Sequence, residues 1–174
     1  MGIVYAGVDE QGLQVTTDLG QTWIQHPDVP AMATIDQIEA VDSLVVVAAD
    51  SGIYLSKNFG ISFVDLGTGP GFFFDLAFLE LSPDLRILAS MVFGPSFYSD
   101  SIGTWTLVSD PLLTSQLMIG VGGNGSNVYL SRFNSGPIVR STDTGNTWLA
   151  LPSNPVATEV PSIIAVPNSL NLFA

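Results

Sequence analysis

The chain contains no cysteine among its 174 residues, so neither disulfide bonds nor thiolate metal ligands contribute to its fold. Basic residues are almost as scarce, because Lys57, Arg86, Arg132 and Arg140 stand against sixteen acidic residues and the net charge is −12. This charge repels nucleic acid and anionic membrane surfaces, and we exclude both as partners. Long apolar runs are absent too, since LVVVAA at 44–49 has only the length of a strand.

The composition favours a compact β protein. Charged residues make up only 11% of the chain and apolar residues 47%, which suits sheets that are covered on both faces. A length of 174 residues is enough for one or two domains with a sizeable core. The first residues, MGIVYAGVDE, lack the basic segment and long apolar core of a signal peptide, so the sequence neither indicates nor excludes secretion.

The chain contains an internal repeat. Four octets align: TTDLGQTW at 16–23, SKNFGISF at 56–63, YSDSIGTW at 98–105 and STDTGNTW at 141–148. Their final aromatic residues are 40, 42 and 43 residues apart, a period typical of β-propeller blades and of some helical repeats. A glycine precedes each octet, namely Gly12, Gly52, Gly94 and Gly136.

The local pattern favours blades over helices. The second repeat reads IDQIEAVDS, LVVVAADSG, IYLSKN and ISFVDLG, which are short runs rich in β-branched and aromatic residues with turn residues between them. Four such runs joined by hairpins predict a propeller blade with strands A to D, counted outward from the axis. We expect one all-β propeller domain or propeller fragment over 1–174, with blades at about 1–30, 31–71, 72–115 and 116–160 and a partial unit at 161–174.

The two ends of the chain match different strands of a blade. IVYAGVDEQG aligns with B strands, and SIIAVPNSLNLFA reads as an A strand followed by the start of a B strand. We therefore expect either a fragment of a larger ring or a chain that completes its ring with another copy. Unpaired terminal strands would permit such self-association.

Each octet has the residues of a tight turn between strands C and D. An Asp or Asn can accept hydrogen bonds from nearby backbone N–H groups, a glycine supplies positive φ, and the aromatic residue begins strand D with a large apolar face. In the third octet Ile102 takes the glycine position, so a different turn is expected there. The structural residues are Asp18, Gly20, Trp23, Asn58, Gly60, Phe63, Asp100, Gly103, Trp105, Asp143, Gly145 and Trp148.

The octet STDTGNTW resembles the Asp-box, or BNR repeat, S-x-D-x-G-x-T-W, at every defined position, and TTDLGQTW departs only at Thr16. Sialidases, family 74 xyloglucanases, sortilin-type receptors and a photosystem assembly factor carry this motif. The resemblance implies a β-propeller with the boxes as peripheral turns, and an extracellular or cell-surface location. It implies no single activity, because these proteins share a fold and not a chemistry.

The candidate site residues lie on the B–C and D–A loops, which share one end of a blade. Asp9, Glu10 and Asp50 on B–C loops could supply the carboxylate pair of a glycosidase. Arg132 precedes another such loop, and Phe73 could form a platform for stacking a sugar ring, so both are candidate binding residues.

Other chemistries find little support. Arg86, Arg132 and Arg140 do not lie in the setting of the sialidase arginine triad that the resemblance would require. His26 is the only histidine of the chain, so we expect neither a metal site nor a base that could activate a serine nucleophile. The glycine-rich segment GVGGNGSN at 120–127 is predicted to lie in a hairpin, so we expect no dinucleotide-binding site there.

The sequence thus predicts a non-catalytic recognition or scaffold propeller that binds glycan or protein on its loop face. The alternatives are a sialidase-like or xyloglucanase-like glycoside hydrolase, or a fragment of one, and an assembly factor. None of these interpretations requires a cofactor or a metal.

Overall fold

The computed structural model describes residues 2–67, 73–80, 84–91, 94–113, 118–124, 127–132, 136–152, 160, 163–165 and 172–173. All regular structure in these residues is β-strand. Across the same ranges, no helix has the length and apolar character needed to cross a membrane. The chain forms two compact units, Met1–Gly69 (unit 1) and Pro70–Ala174 (unit 2).

Unit 1 contains a three-stranded and a four-stranded antiparallel sheet, and in both each strand pairs with the next strand in sequence. The first sheet consists of β1 (Val4–Val8), β2 (Gly12–Thr16) and β3 (Ile24–Gln25). The second consists of β4 (Ile35–Val41), β5 (Leu44–Ala49), β6 (Gly52–Ser56) and β7 (Val64–Asp65). This meander is the topology of a propeller blade, and the three-stranded sheet corresponds to strands B, C and D.

Unit 2 contains two four-stranded sheets and one two-stranded sheet, again in sequential order. The first consists of β8 (Phe73–Glu80), β9 (Arg86–Met91), β10 (Ser96–Ser99) and β11 (Thr104–Leu107). The second consists of β12 (Met118–Asn124), β13 (Asn127–Arg132), β14 (Val139–Ser141) and β15 (Leu149–Ala150). The last pairs β16 (Ile164–Ala165) with β17 (Leu172–Phe173).

Each unit has its own apolar core, because the strands bury side chains on the faces that meet. In unit 1, Leu13 of β2 packs with Val45 and Val47 of β5. Strands β1 and β4 also approach closely, since a Cβ on Gly7 would lie 2.6 Å from the Cβ of Ile35. In unit 2 the core includes residues from β8, β9, β13 and β14, among them Leu79, Leu88, Val128, Leu130 and Val139.

The first strand of each four-stranded sheet has a β-bulge near its start. The pairing register shifts between Ile35 and Gln37 in β4, between residues 73 and 75 in β8, and between residues 118 and 120 in β12. A bulge turns a side chain away from its regular alternation, and bulges are frequent beside functional sites. In β4 the extra residue is Asp36.

Antiparallel pairing gives every sheet two ends with different connections. We name the end with the B–C turns and the start of strand A the loop end. The opposite end has the A–B turns and the octets, which connect strands C and D, and we name it the corner end. In unit 1 the loop end carries the turns at 9–11 and 50–51, and the corner end carries the octets at 16–23 and 56–63.

Candidate functional site

The fourth octet forms a turn that side-chain hydrogen bonds hold at the corner end of unit 2. The Ser141 hydroxyl donates to Asp143 Oδ1 at 2.7 Å and accepts the N–H of Gly145 at 2.8 Å. Thr147 donates twice to the same carboxylate, through its N–H at 2.9 Å and through its hydroxyl at 2.7 Å. The Asp143 carboxylate and the Ser141 hydroxyl therefore satisfy the N–H groups of Gly145 and Thr147 and the Thr147 hydroxyl.

The first octet repeats these contacts. The Thr16 hydroxyl donates to Asp18 Oδ1 at 2.7 Å, and Thr22 donates to the same carboxylate through its N–H at 2.9 Å and its hydroxyl at 2.6 Å. In the second octet Asn58 Oδ1 accepts the Ser62 N–H at 3.0 Å, while the Asn58 amide donates to the Ser62 hydroxyl at 2.9 Å. The Asn58 amide therefore donates to the hydroxyl of Ser62, whereas the Asp18 carboxylate accepts from the hydroxyl of Thr22. The turn is kept although the direction of this hydrogen bond is reversed.

The tip of each of these turns has two successive residues with positive φ, as in type I′ turns. The second of the two is a glycine in each case, with φ of 86° at Gly20, 66° at Gly60 and 87° at Gly145. The first is not, because Leu19, Phe59 and Thr144 have φ of 63°, 58° and 55°. The side chains of Leu19 and Phe59 are exposed, so these tips present apolar groups on a strained backbone.

The acids of the corners are held in their charged form. Hydrogen bonds from the hydroxyl and the N–H of Thr22 lower the pKa of Asp18 to about 2, and the same groups of Thr147 lower the pKa of Asp143 to about 2. A general acid needs a pKa near the working pH. These carboxylates are therefore suited to holding a turn and not to transferring a proton.

In the third octet an acid from elsewhere in the sequence accepts hydrogen bonds from the turn. Asp84, two residues before the start of β9, accepts the Ser99 hydroxyl at 2.7 Å and both the N–H and the hydroxyl of Ser101 at 2.8 Å. These bonds lower the pKa of Asp84. Asp100 donates its N–H to Leu85, and positive φ falls on Gly103, at 71°. Sequence alignment pointed to Asp100 and missed Asp84, whose only signal was the turn sequence SPD at 82–84.

The aromatic residues of the octets differ in burial. Trp148 is 8% exposed, packs in the core of unit 2 and donates its indole N–H to the Gly145 carbonyl at 3.0 Å. Trp23 is 43% exposed. Strand D begins one residue after Trp23, Phe63 and Trp148, because the aromatic residue itself still belongs to the turn, whereas Trp105 lies within β11.

Residues of the first sheet hold the second octet of unit 1. The Tyr5 hydroxyl donates to the Phe59 carbonyl at 2.6 Å, and burial raises the Tyr5 pKa. The buried His26 accepts the Asp28 N–H at Nδ1 (3.2 Å), so its proton is on Nε2, which donates to the Gly60 carbonyl at 3.0 Å. The one histidine of the chain is therefore part of the packing between two sheets.

In unit 2 an arginine side chain likewise connects one sheet to the octet of the next sheet. Arg86, the first residue of β9, donates to the Thr144 hydroxyl at 3.1 Å and lies 4.5 Å above the ring of Phe97. Because Thr144 is the tip of the fourth octet, a B-strand side chain of one sheet again reaches the corner of the next.

The candidate carboxylates lie at the loop end of unit 1. Asp9 and Glu10 are exposed in the β1–β2 turn, where Glu10 has a φ of 56°. Asp50, in the β5–β6 turn, accepts the Thr34 N–H at 3.1 Å and donates its own N–H to the Thr34 carbonyl at 3.0 Å. These two bonds fix the Asp50 carboxylate against the start of β4.

Asp36, the bulged residue of β4, joins this group. Desolvation raises the pKa of Asp36, and the negative charge of Asp50 raises it further. Sequence reasoning did not single out Asp36, because alternation in TIDQIE places it among ordinary solvent-facing residues, and the structure leaves it exposed at the bulge of β4.

Arg132 and Phe73 both lie in unit 2. Arg132 ends β13, and its Nη2 donates to the Leu112 carbonyl. Burial lowers its pKa. Phe73 is the first residue of β8, and its side chain lies outside the described part of the structure. No group of three or more His, Cys, Asp or Glu residues that could hold a metal ion occurs within the described ranges.

Comparison with known proteins identifies the fold. No protein-family model and no curated protein matches the chain. Solved structures do match. The GH74 xyloglucanase from Xanthomonas campestris has a TM-score of 0.60 and 15% identity over 86% of this chain, and an ancestral GH74 enzyme has 0.57 and 16% over 74%. The RRP9 WD40 repeats have a TM-score of 0.64 and 11% identity over 93% of this chain.

These identities show the fold alone. The chain spans 28% of the xyloglucanase, 19% of the ancestral enzyme and 53% of the RRP9 protein. The prediction of an all-β chain built from four-stranded antiparallel propeller blades is confirmed. WD40 repeats and GH74 enzymes differ in function, so activity has to be argued from the residues of this chain.

Proposed function

We propose that the chain is a non-catalytic recognition module that binds a basic segment of a protein partner at the loop end of unit 1. Four carboxylates lie at that end, on Asp9, Glu10, Asp36 and Asp50. A role as a scaffold for assembly falls within the same proposal, because it too requires a surface for a protein partner.

The observation that carries the proposal is the placement of these carboxylates together at one end of the sheets. Burial raises the pKa of Asp36, and repulsion from Asp50 raises it further. Residues 1–69 contain nine acids and a single base, Lys57, which lies in the octet at the corner end. The loop end therefore has an excess of negative charge. Arg or Lys side chains of a partner would relieve this repulsion and would be steered to the surface by the field of the whole chain.

The hydrogen bonding of Asp50 favours recognition over catalysis. Its carboxylate accepts the Thr34 N–H, so it is held by the backbone of the neighbouring loop. A carboxylate fixed in this way presents its charge at a constant position, which favours ion pairing with an arriving cation.

Fluorescence anisotropy with a labelled Arg/Lys-rich peptide tests the proposal. We expect binding that weakens steeply with added salt, and a several-fold weaker affinity in Asp36→Asn and Asp50→Asn. Asp42→Asn is the matched control, because Asp42 lies at the corner end in the β4–β5 turn and Asn tolerates its φ of 52°. Equal loss in Asp42→Asn, or binding that ignores salt, would contradict the proposal.

A second candidate is a glycoside hydrolase. Two carboxyl groups at one end of the sheets favour it, because such enzymes use a pair of carboxyl groups, and burial together with the charge of Asp50 raises the pKa of Asp36. Xyloglucan oligosaccharides and a panel of aryl glycosides test this function. Turnover that is lost in both Asp36→Asn and Asp50→Asn would establish it, and a glycan array would detect sugar binding without hydrolysis.

A further inference from the structure

Arg132 is a guanidinium that the chain places at the loop end of unit 2. It is the last residue of β13 and pairs with Met118 at the start of β12. Its side chain is half-buried. The loop that precedes β12 approaches it, since Nη2 donates to the Leu112 carbonyl.

The surroundings position this side chain and leave part of it without a partner. Its Nε is buried and makes no hydrogen bond. Gly136 makes room for the aliphatic part, because a Cβ at that position would lie 2.7 Å from Arg132 Cδ. Within the described ranges, the one hydrogen bond of the guanidinium is to a neutral carbonyl, and no carboxylate pairs with it.

A charge in this environment is costly. Removing a guanidinium from water without an opposite charge destabilises the folded state, and burial accordingly lowers the pKa of Arg132. The charge of Arg86, in contrast, is compensated by its surroundings. Its guanidinium stacks on the ring of Phe97, donates to the Thr144 hydroxyl and is attracted by the carboxylate of Asp84. Arg132 stays charged, and the acids in the described part of the chain leave its charge without an ion pair.

We propose that Arg132 binds the carboxylate group of a ligand at the loop end of unit 2. The planar guanidinium fork matches the two oxygens of a carboxylate, and Leu112 and Gly136 hold it in place before the ligand arrives. A monoanion suits the site better than a phosphate dianion, because one cation has to attract the ligand against the −12 charge of the chain. The site goes beyond the function proposed above, since it lies in the other unit and selects the opposite charge.

Arginine side-chain NMR tests this site directly on the full chain. The protein has only Arg86, Arg132 and Arg140, so its spectrum should contain three Nε–H signals. The probes are acetate, glucuronate and N-acetylglycine, with the uncharged N-acetylglycinamide as the matched control. We expect a saturable shift of the Arg132 signal with a carboxylate probe, at millimolar affinity, and no shift with the amide. A preference for glucuronate would indicate a sugar acid, and a preference for N-acetylglycine would indicate a peptide carboxylate.

Arg140 is the internal comparison, since its Nε is also buried without a hydrogen-bond partner among the described residues, but it lies in β14 next to the fourth octet. Arg132→Gln should abolish the saturable shift, and Arg132→Lys should weaken binding several-fold because the fork is lost and the charge kept. Gly136→Ala should also weaken binding by displacing the Arg132 side chain. If Arg132→Gln does not fold, the Arg132→Lys and Gly136→Ala variants test the proposal.

Three results would overturn the proposal: no saturable shift with any carboxylate, unchanged binding in the variants, or a response of Arg140 in place of Arg132.

Discussion

Replacing Trp148 by alanine should destabilise its unit far more than the same change at Trp23, although the two tryptophans occupy the same position of the repeated octet. Trp148 is 8% exposed and Trp23 is 43% exposed. The comparison therefore separates the sequence motif, which the two sites share, from burial, which they do not.

The expected costs follow from burial. Truncating a fully buried aromatic side chain to alanine costs about 3–5 kcal/mol, and Trp148→Ala belongs in that range. Scaling by the buried fraction lowers the cost for Trp23→Ala to about 2–3 kcal/mol. Trp148 also donates to the Gly145 carbonyl, and leaving that acceptor unpaired adds about 1 kcal/mol. We therefore expect a difference of about 2 kcal/mol between the two variants.

Urea unfolding followed by circular dichroism measures both variants against the unchanged chain. Because the chain forms two compact units, the transitions should be fitted as two steps where the data require it. Trp148→Phe keeps most of the apolar volume and removes the indole N–H, which isolates the hydrogen bond if the alanine variant does not fold. Equal costs for the two alanine variants would refute the assignment of the difference to burial.

Three further predictions concern the corners. Asp84→Asn should lower the urea midpoint more than Asp100→Asn, because Asp84 accepts the bonds of the third octet. Asp143 has a pKa lowered to about 2, so its contribution to stability is present above about pH 4 and is lost as pH falls toward 2. Asp143→Asn should therefore reduce the pH dependence of the urea midpoint in that window. Tyr5→Phe should cost about 0.5–1.5 kcal/mol through loss of the bond to the Phe59 carbonyl.

Each of these predictions has a result that contradicts it. Equal urea midpoints for Asp84→Asn and Asp100→Asn would contradict the assignment of Asp84 as the main acid of the third octet. An unchanged acid profile in Asp143→Asn would mean that other groups control acid unfolding. A Tyr5→Phe variant as stable as the unchanged chain would show that the hydroxyl bond contributes nothing beyond solvation.

The repeat made the fold predictable. A period near 42 indicated a repeat, and four short β-rich runs within each unit indicated four-stranded blades; the run LVVVAA became strand β5. Strand D was less predictable. It has only two residues in β3, β7 and β15, because the aromatic residue expected to begin it still belongs to the turn. No local sequence signal distinguishes a residue whose backbone pairs with a neighbouring strand from one whose side chain only packs against the sheet.

The candidate site was predictable only in part. Asp9, Glu10 and Asp50 could be placed on loops, and Arg132 just before a loop, from the order of strands. Asp36 could not be singled out, because alternation in TIDQIE places it among ordinary solvent-facing residues. Contacts between residues far apart in sequence depend on how strands stagger, which composition and spacing do not encode.

The third corner shows how such repeats can diverge in sequence and in turn geometry while the four-stranded sheet is kept. Asp84 supplies the carboxylate of this corner from a different strand connection. Selection can then relax on the acid within the octet, and the motif decays while the blade persists. Counting motifs by pattern would therefore underestimate the number of blades in proteins of this kind, and distant members would be recognised only through their structures.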